Sequence, residues 1–146
     1  MEFAILNRIN AQIYKCDIPH LYISITDPES RFANLNDCKA RIDSLRIKFD
    51  DIDTNVDSVD GKRLPKYFDR DKADQVLKFI EKNKEENPEL IICQCDAGIS
   101  RSSATAAALS VLFNGPRSDN WIFNYYNPNM LVYNTLLNHF MDQNLL

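Results

Sequence analysis

The chain has 146 residues, 45% hydrophobic and 26% charged, with a formal net charge of −4. Such a make-up excludes disordered, collagen-like and disulfide-scaffold proteins and gives enough chain for one domain, residues 1–146, with its own buried core. The acidic balance argues against broad nucleic-acid or anionic-membrane partners, because nothing neutralises phosphates over a wide footprint.

Phe3 to Leu6 reads as a short strand. The first residues carry no basic start ahead of a long apolar run, so no leader peptide is expected. No stretch reaches the roughly 20 apolar residues of a membrane span. The four cysteines, Cys16, Cys38, Cys93 and Cys95, are too few for a framework and read as thiols of a reducing cytoplasm. Cys93 and Cys95 are expected to point to opposite faces of a strand and not to pair. Cys93 or Cys38 is a candidate for a reversible disulfide with Cys95, against the plainer reading that both are inert.

His20 follows Pro19 and reads as a loop residue. Leu21 to Thr26 alternates, is rich in β-branched residues and stops at Asp27-Pro28, which predicts a strand and a turn. Leu45 to Phe49 alternates apolar and basic residues, a second strand of this kind, and runs into an acidic loop from Asp50 to Gly61. That loop begins like a calcium-binding hand at Asp51, Asp53 and Asn55. Val56 and Lys62 then occupy the places where the hand needs glycine and a bidentate glutamate, so no metal is expected.

Asp69 to Asn87 is predicted helical, with Ala73, Val76, Leu77 and Ile80 on one stripe and Asn87-Pro88 as its stop. Leu90 to Cys93 is a continuous apolar run, suited to a strand buried on both faces of a parallel sheet. The segment Gln94 to Ser103 follows, then an alanine-rich helix ending at Gly115-Pro116. A short helix holds Trp121, and Trp121, Phe123, Tyr125 and Tyr126 read as core. Pro128 introduces the last helix, whose stripe includes Leu131, Val132, Leu136, His139 and Phe140; His139 reads as packing. Alternating strands and helices predict an α/β protein with a central, mostly parallel sheet flanked by helices. Ligands of such sheets bind at the carboxyl ends of the strands. The acidic loop and the loop after Gln94 both end there.

The second loop carries distinct chemistry. Cys95 ends a buried strand, Arg101 begins a helix, and Asp96, Ala97, Gly98, Ile99 and Ser100 lie between them. Small residues let such a loop wrap so that backbone N–H groups converge on one point, an anion nest at a helix N-terminus. Arg101 is placed to clamp two oxygens of a phosphate with its forked donors. The same positive field favours the thiolate of Cys95, the nucleophilic form. Ser102 is placed to hydrogen-bond the sulfur when it leaves. A helix-capping turn around a structural cysteine is the plainer reading.

Cys95-Asp96-Ala97-Gly98-Ile99-Ser100-Arg101-Ser102 resembles the phosphate-binding loop of the cysteine-based protein tyrosine phosphatase superfamily, in particular its small bacterial and phage members related to the dual-specificity phosphatases. Ile25 to Pro28, Phe49 to Asp51 and Pro128 to Tyr133 resemble further segments of that family, so the likeness extends over most of the chain. The resemblance implies a phosphatase fold and a cysteinyl-phosphate intermediate, with Cys95 as nucleophile and the amides of Asp96 to Arg101 as phosphate cradle. It implies a proton-donating aspartate on the loop after the strand ending at Phe49. Alignment on Lys48-Phe49 puts Asp51 there, with Asp53 and Asp50 as fallback choices and a solvated acidic loop as the plainer reading for any one of them. Asn129 is a candidate brace for the phosphate loop, or simply a helix cap.

One departure is Gln94, where the family usually has histidine, and a less activated thiol is expected from it. The implied substrate is a phosphorylated protein, phosphotyrosine with or without phosphoserine and phosphothreonine, or a small aryl or alkyl phosphate. No lysine lies inside the loop, which disfavours polyanionic headgroups. No cofactor is implied, and a monomer is expected. Two rivals remain: a phosphate-binding pseudophosphatase, kept open by Gln94, and a rhodanese-like sulfurtransferase, opposed by Ser102 and by the acidic loop.

Overall fold

Leu21, Ile23 and Ile25 alternate with Tyr22 and Ser24, so a strand built from them lines two different layers. In the computed structural model, which describes residues 1–144, that strand is β2 (His20–Thr26) and every residue of it is buried. It is joined by β1 (Glu2–Leu6), β3 (Arg41–Lys48) and β4 (Leu90–Gln94) in one parallel sheet of order β1-β4-β2-β3. The two inner strands, β2 and β4, are the wholly buried ones. The apolar run of β4 reflects cover on both faces, and β2 is covered on both although it includes His20, Ser24 and Thr26.

Over one face lie α2 (Arg70–Asn83), α3 (Arg101–Asn114) and α5 (Met130–Asn144), sharing a core with Leu21, Ile23, Ile25, Ile91 and Leu109. Over the other lies α1 (Arg8–Ile13), whose Ala11 packs on Tyr22, Leu90 and Ile92. Helix α3 is buried from Arg101 to Ser110 because it is covered by the sheet and by α5 together. Its alanines permit that close approach, and Thr105 and Ser110 meet the backbone or Ser118 instead of water. The short α4 spans Asn120–Tyr125.

Several expectations need correction. His20 is not a loop residue: it opens β2, 1% exposed, with Nδ1 against the Ile18 carbonyl at 2.8 Å. β3 begins at Arg41, ahead of the expected Leu45, because edge strands tolerate polar residues such as Asp43 and Ser44. Helix α1 was not expected at all. Only Ala11 of it is buried, so it has no stripe; its one signal is Asn7, whose Oδ1 accepts from the Asn10 N–H at 2.7 Å. The buried stripe of α2 is Ala73, Val76, Phe79 and Asn83, with Leu77 and Ile80 half-buried. Trp121, Phe123 and Tyr125 are exposed rather than core, Tyr125 by 81%. Cys93 and Cys95 lie in the same core layer, as residues two apart on a strand must, yet both are free thiols. His139 does more than pack, since its Nε2 lies 3.2 Å from the Asp74 carboxylate.

Candidate functional site

The C-terminal ends of β1, β2, β3 and β4 bring four segments to one edge: the turn at Asn7, the Asp27 turn, the loop after Phe49, and the loop from Cys95 to Arg101. The last is anchored first. The Cys95 N–H donates to the Leu6 carbonyl at 3.3 Å, and the Arg8 N–H donates to the Asp96 carbonyl at 3.2 Å. Gly98 has φ +70°, and a Cβ there would lie 2.7 Å from the Asn7 nitrogen. Only glycine satisfies both the left-handed backbone and that approach.

This wrapping aims the loop at sulfur. The Gly98 N–H donates to Cys95 Sγ at 3.2 Å, and Ser102 Oγ lies 3.1 Å from the same atom. Cys95 is 2% exposed, so the thiol sits beneath the loop, whose Ala97 and Ile99 face solvent. Ser100 caps α3 without a side-chain hydrogen bond to the first turn, unlike Asn7 on α1 and Asp69 on α2. The amides of that turn therefore keep the positive end of the helix directed at the loop.

Arg101 is 5% exposed and held from several sides. One Nη donates to the Phe49 carbonyl at 2.8 Å and to the Asp27 carboxylate at 2.8 Å; the other reaches Asp96 at 3.4 Å. Its Nε is buried and makes no hydrogen bond. A buried guanidinium donor left unpaired is costly unless an acceptor is available to it. The two carboxylates that share Arg101 also face each other. Burial and the neighbouring Asp96 push Asp27 up, outweighing Arg101. Asp96 is held below the usual carboxylate range: burial opposes this, but Arg8, Asp27 and Arg101 prevail. Of the two, Asp27 is thus the more readily protonated.

The acidic loop splits into two jobs. Asp50 is buried and structural: both its oxygens accept from Arg63, at 2.7 and 2.9 Å, and the Lys66 N–H adds a third bond. Those bonds hold its carboxyl below the usual range, with Arg63 the largest cause. Arg63 also reaches Glu29, so it ties the acidic loop to the Asp27 turn. Asp51 is exposed, and its Oδ1 accepts from Ser100 Oγ at 2.9 Å and from Asn129 Nδ2 at 2.9 Å. It is therefore brought to the loop from Cys95 to Arg101, whereas Asp53 is exposed and no hydrogen bond joins it to that loop.

Asn129 performs both roles considered for it. Its Oδ1 caps α5 at the Leu131 and Val132 N–H groups, and its own N–H donates to the Ser100 carbonyl at 3.0 Å. Gln94 turns its Oε1 to Ser24 Oγ at 2.5 Å, and its Nε2 is buried without a partner. Sequence reasoning gave no role to Asn7, Arg8 and Arg63, which have no local pattern, and took Asp27 only as part of a strand-ending turn within a segment that resembles the family. No group of three or more metal-ligating side chains occurs among the described residues.

No protein-family model matches the chain, and no curated protein is similar to it in sequence. Solved structures are similar in fold. The human tyrosine phosphatase-like serine/threonine/tyrosine-interacting protein superposes with a TM-score of 0.55 at 20% identity, over 88% of this chain and 80% of that one. PTPMT1, solved in complex with PI(5)P, gives 0.56 at 14% identity over 99% and 93%. Tk-PTP in its active form gives 0.51 at 14% identity over 93% and 90%.

Proposed function

We propose that this chain, which has the fold of the tyrosine and dual-specificity phosphatases, is a single-domain cysteine-dependent phosphatase. The observation that carries the reading is the sulfur of Cys95, held at once by the Gly98 N–H and Ser102 Oγ in a loop closed by Arg101.

The reaction has two displacements. The Cys95 thiolate attacks phosphorus in line with the bond to the leaving oxygen, and Asp51 gives that oxygen its proton. The phosphoryl group is then bound to sulfur, with its oxygens facing the loop amides and the unpaired Nε of Arg101. Asp51, now a carboxylate, takes a proton from water as the water oxygen attacks phosphorus. The phosphorus–sulfur bond breaks, the electron pair returns to sulfur, and Ser102 donates a hydrogen bond to it. Covalent catalysis with preorganised donors accounts for the acceleration, and Asp51 gives a proton in the first step and recovers one from water in the second.

The substrate we infer is a singly phosphorylated side chain, phosphotyrosine first, in a protein that meets the enzyme as a monomer in the cytoplasm. PTPMT1 was solved with a phosphoinositide. In this chain the loop instead carries Asp96, and Asp27 stands beside Arg101, so a polyanionic headgroup would face two carboxylates. No helix of the described residues is long and apolar enough to cross a membrane.

Hydrolysis of p-nitrophenyl phosphate in the presence of a chelator tests the reading. Turnover abolished by Cys95→Ser is expected. Binding of a phosphotyrosine peptide without turnover would replace it with a phosphate-binding pseudophosphatase. That second reading draws on the commitment of Arg101 to Asp27, Asp96 and Phe49. Sulfur transfer from thiosulfate without phosphatase activity would favour the rhodanese-like alternative.

A further inference from the structure

A second pair of thiols lies away from Cys95, and nothing in the phosphatase reading uses it. Cys16 follows α1 and Cys38 precedes β3; both are partly exposed. The Cys38 thiol donates to the Cys16 carbonyl at 3.3 Å, so its sulfur lies against the backbone of the other cysteine. Cys16 Sγ in turn lies 3.3 Å from Nδ1 of the buried His20. The Arg41 guanidinium is near both sulfurs and stacks over the Tyr22 ring at 5.4 Å.

The two thiols are not equivalent. Burial opposes ionisation of Cys38, and so does the bond its thiol donates to the Cys16 carbonyl, yet backbone hydrogen bonds with Ala40 and Arg41, together with the Arg41 charge, hold it below the ordinary thiol range. Burial and the nearby Cys38 and Asp17 hold Cys16 above that range, although hydrogen bonding to Ile18 and the Arg41 charge act the other way. Of the two, Cys38 is thus the more readily ionised.

We infer that Cys16 and Cys38 form a peroxide-responsive pair, Cys38 being attacked first and Cys16 resolving it into a disulfide. The Cys38 thiolate attacks one oxygen of a hydroperoxide. The O–O bond breaks, sulfur is oxidised to sulfenic acid, and the other oxygen leaves reduced, as hydroxide or alkoxide. Cys16 then attacks the Cys38 sulfur. Its proton leaves with the displaced hydroxide as water, and the S–S bond forms. The bridge joins the segment after α1 to the loop between β2 and β3. Arg8, at the other end of α1, already bonds both Asp96 and the Arg31 carbonyl, so α1 and the loop between β2 and β3 meet there beside the loop that holds Cys95. Oxidation would therefore stiffen that flank of the loop without touching Cys95.

The experiment uses the full chain carrying Cys95→Ser, so that neither the catalytic thiol nor the phosphatase reading affects the result. Reduced protein is treated with one equivalent of hydrogen peroxide, digested without reductant and analysed by mass spectrometry. A Cys16–Cys38 linked peptide is expected. Adding Cys16→Ser should leave Cys38 as a sulfenic acid that dimedone traps, and Cys38→Ser should leave Cys16 reduced. Iodoacetamide on unmutated, folded protein at pH 7 should label Cys38 about tenfold faster than Cys16, a measurement that needs no variant. Absence of the linked peptide, equal labelling rates, or oxidation of Cys16 undiminished by Cys38→Ser would each overturn the inference.

Discussion

Ser102 Oγ stands 3.1 Å from the Cys95 sulfur, one residue beyond the arginine of the same loop. A hydroxyl there contributes most when sulfur carries full negative charge, which in the proposed reaction happens as the phosphoryl group departs. Ser102→Ala should therefore slow the second displacement more than the first. A pre-steady-state burst of p-nitrophenol should appear, with kcat lowered about 10- to 100-fold, the worth of one hydrogen bond to a charged atom. An equal fall in kcat and burst rate would contradict this.

Asp51 gains its position from Ser100 and Asn129. Asp51→Asn should lower turnover of phenyl phosphate by about 10²- to 10⁴-fold, and far less for a leaving group that needs no proton. Asn129→Ala should give a weaker version of the same leaving-group pattern. If Asp53→Asn shows the pattern and Asp51→Asn does not, the proton donor is Asp53.

Asp27 occupies one donor of Arg101. Because its side chain is 49% exposed, solvent screens the pair. Asp27→Asn should tighten sulfate binding only about two- to fivefold. The sign with pH follows from its raised carboxyl value. In the unmutated protein, sulfate affinity should fall as pH rises through the Asp27 titration, since sulfate itself keeps its charge there. The variant should lack that step in a calorimetric titration series.

Gly98→Ala forces a side chain against the Asn7 backbone in a left-handed conformation. A loss of about 1–3 kcal/mol in urea unfolding is expected for the strain, together with loss of turnover. Gly61→Ala keeps the left-handed backbone but meets nothing within 4 Å, so it should cost less stability and leave turnover intact.

Asp50 has its carboxyl held low by Arg63 and the Lys66 N–H. A depressed carboxyl contributes stability at pH above its unfolded value of 3.8 and loses it as pH falls through the lower folded value. Asp50→Asn should therefore lower Tm near neutral pH and matter progressively less in acid, as differential scanning calorimetry across that range would show.

The sheet was legible because β2 alternates and β4 is an apolar run, both bounded by turn residues, and the loop from Cys95 to Arg101 was legible because Cys95, Gly98, Arg101 and Ser102 fall within eight residues of one another. Asp51 was singled out from its acidic neighbours only through the family resemblance, aligned on the strand end at Lys48-Phe49. What escaped was everything assembled from distant segments. Asn7 and Arg8 on one flank, Asp27 and Arg63 on the other, have meaning only once four strand ends are side by side. Helix α1 escaped for a different reason: with one buried residue it has no periodicity to read. The aromatic residues of α4 were misplaced because hydrophobicity alone does not distinguish a surface helix from a core one when the helix is short.

Asn129 joins three things that are otherwise separate: the first turn of α5, the Ser100 carbonyl and the Asp51 carboxylate. The first turn of the long terminal helix thereby shares a bracket with Asp51, the proposed proton donor. A substitution that displaces this turn of α5 would also displace that carboxylate relative to sulfur, so tuning of the proposed centre can begin in a helix that contributes no group to the chemistry.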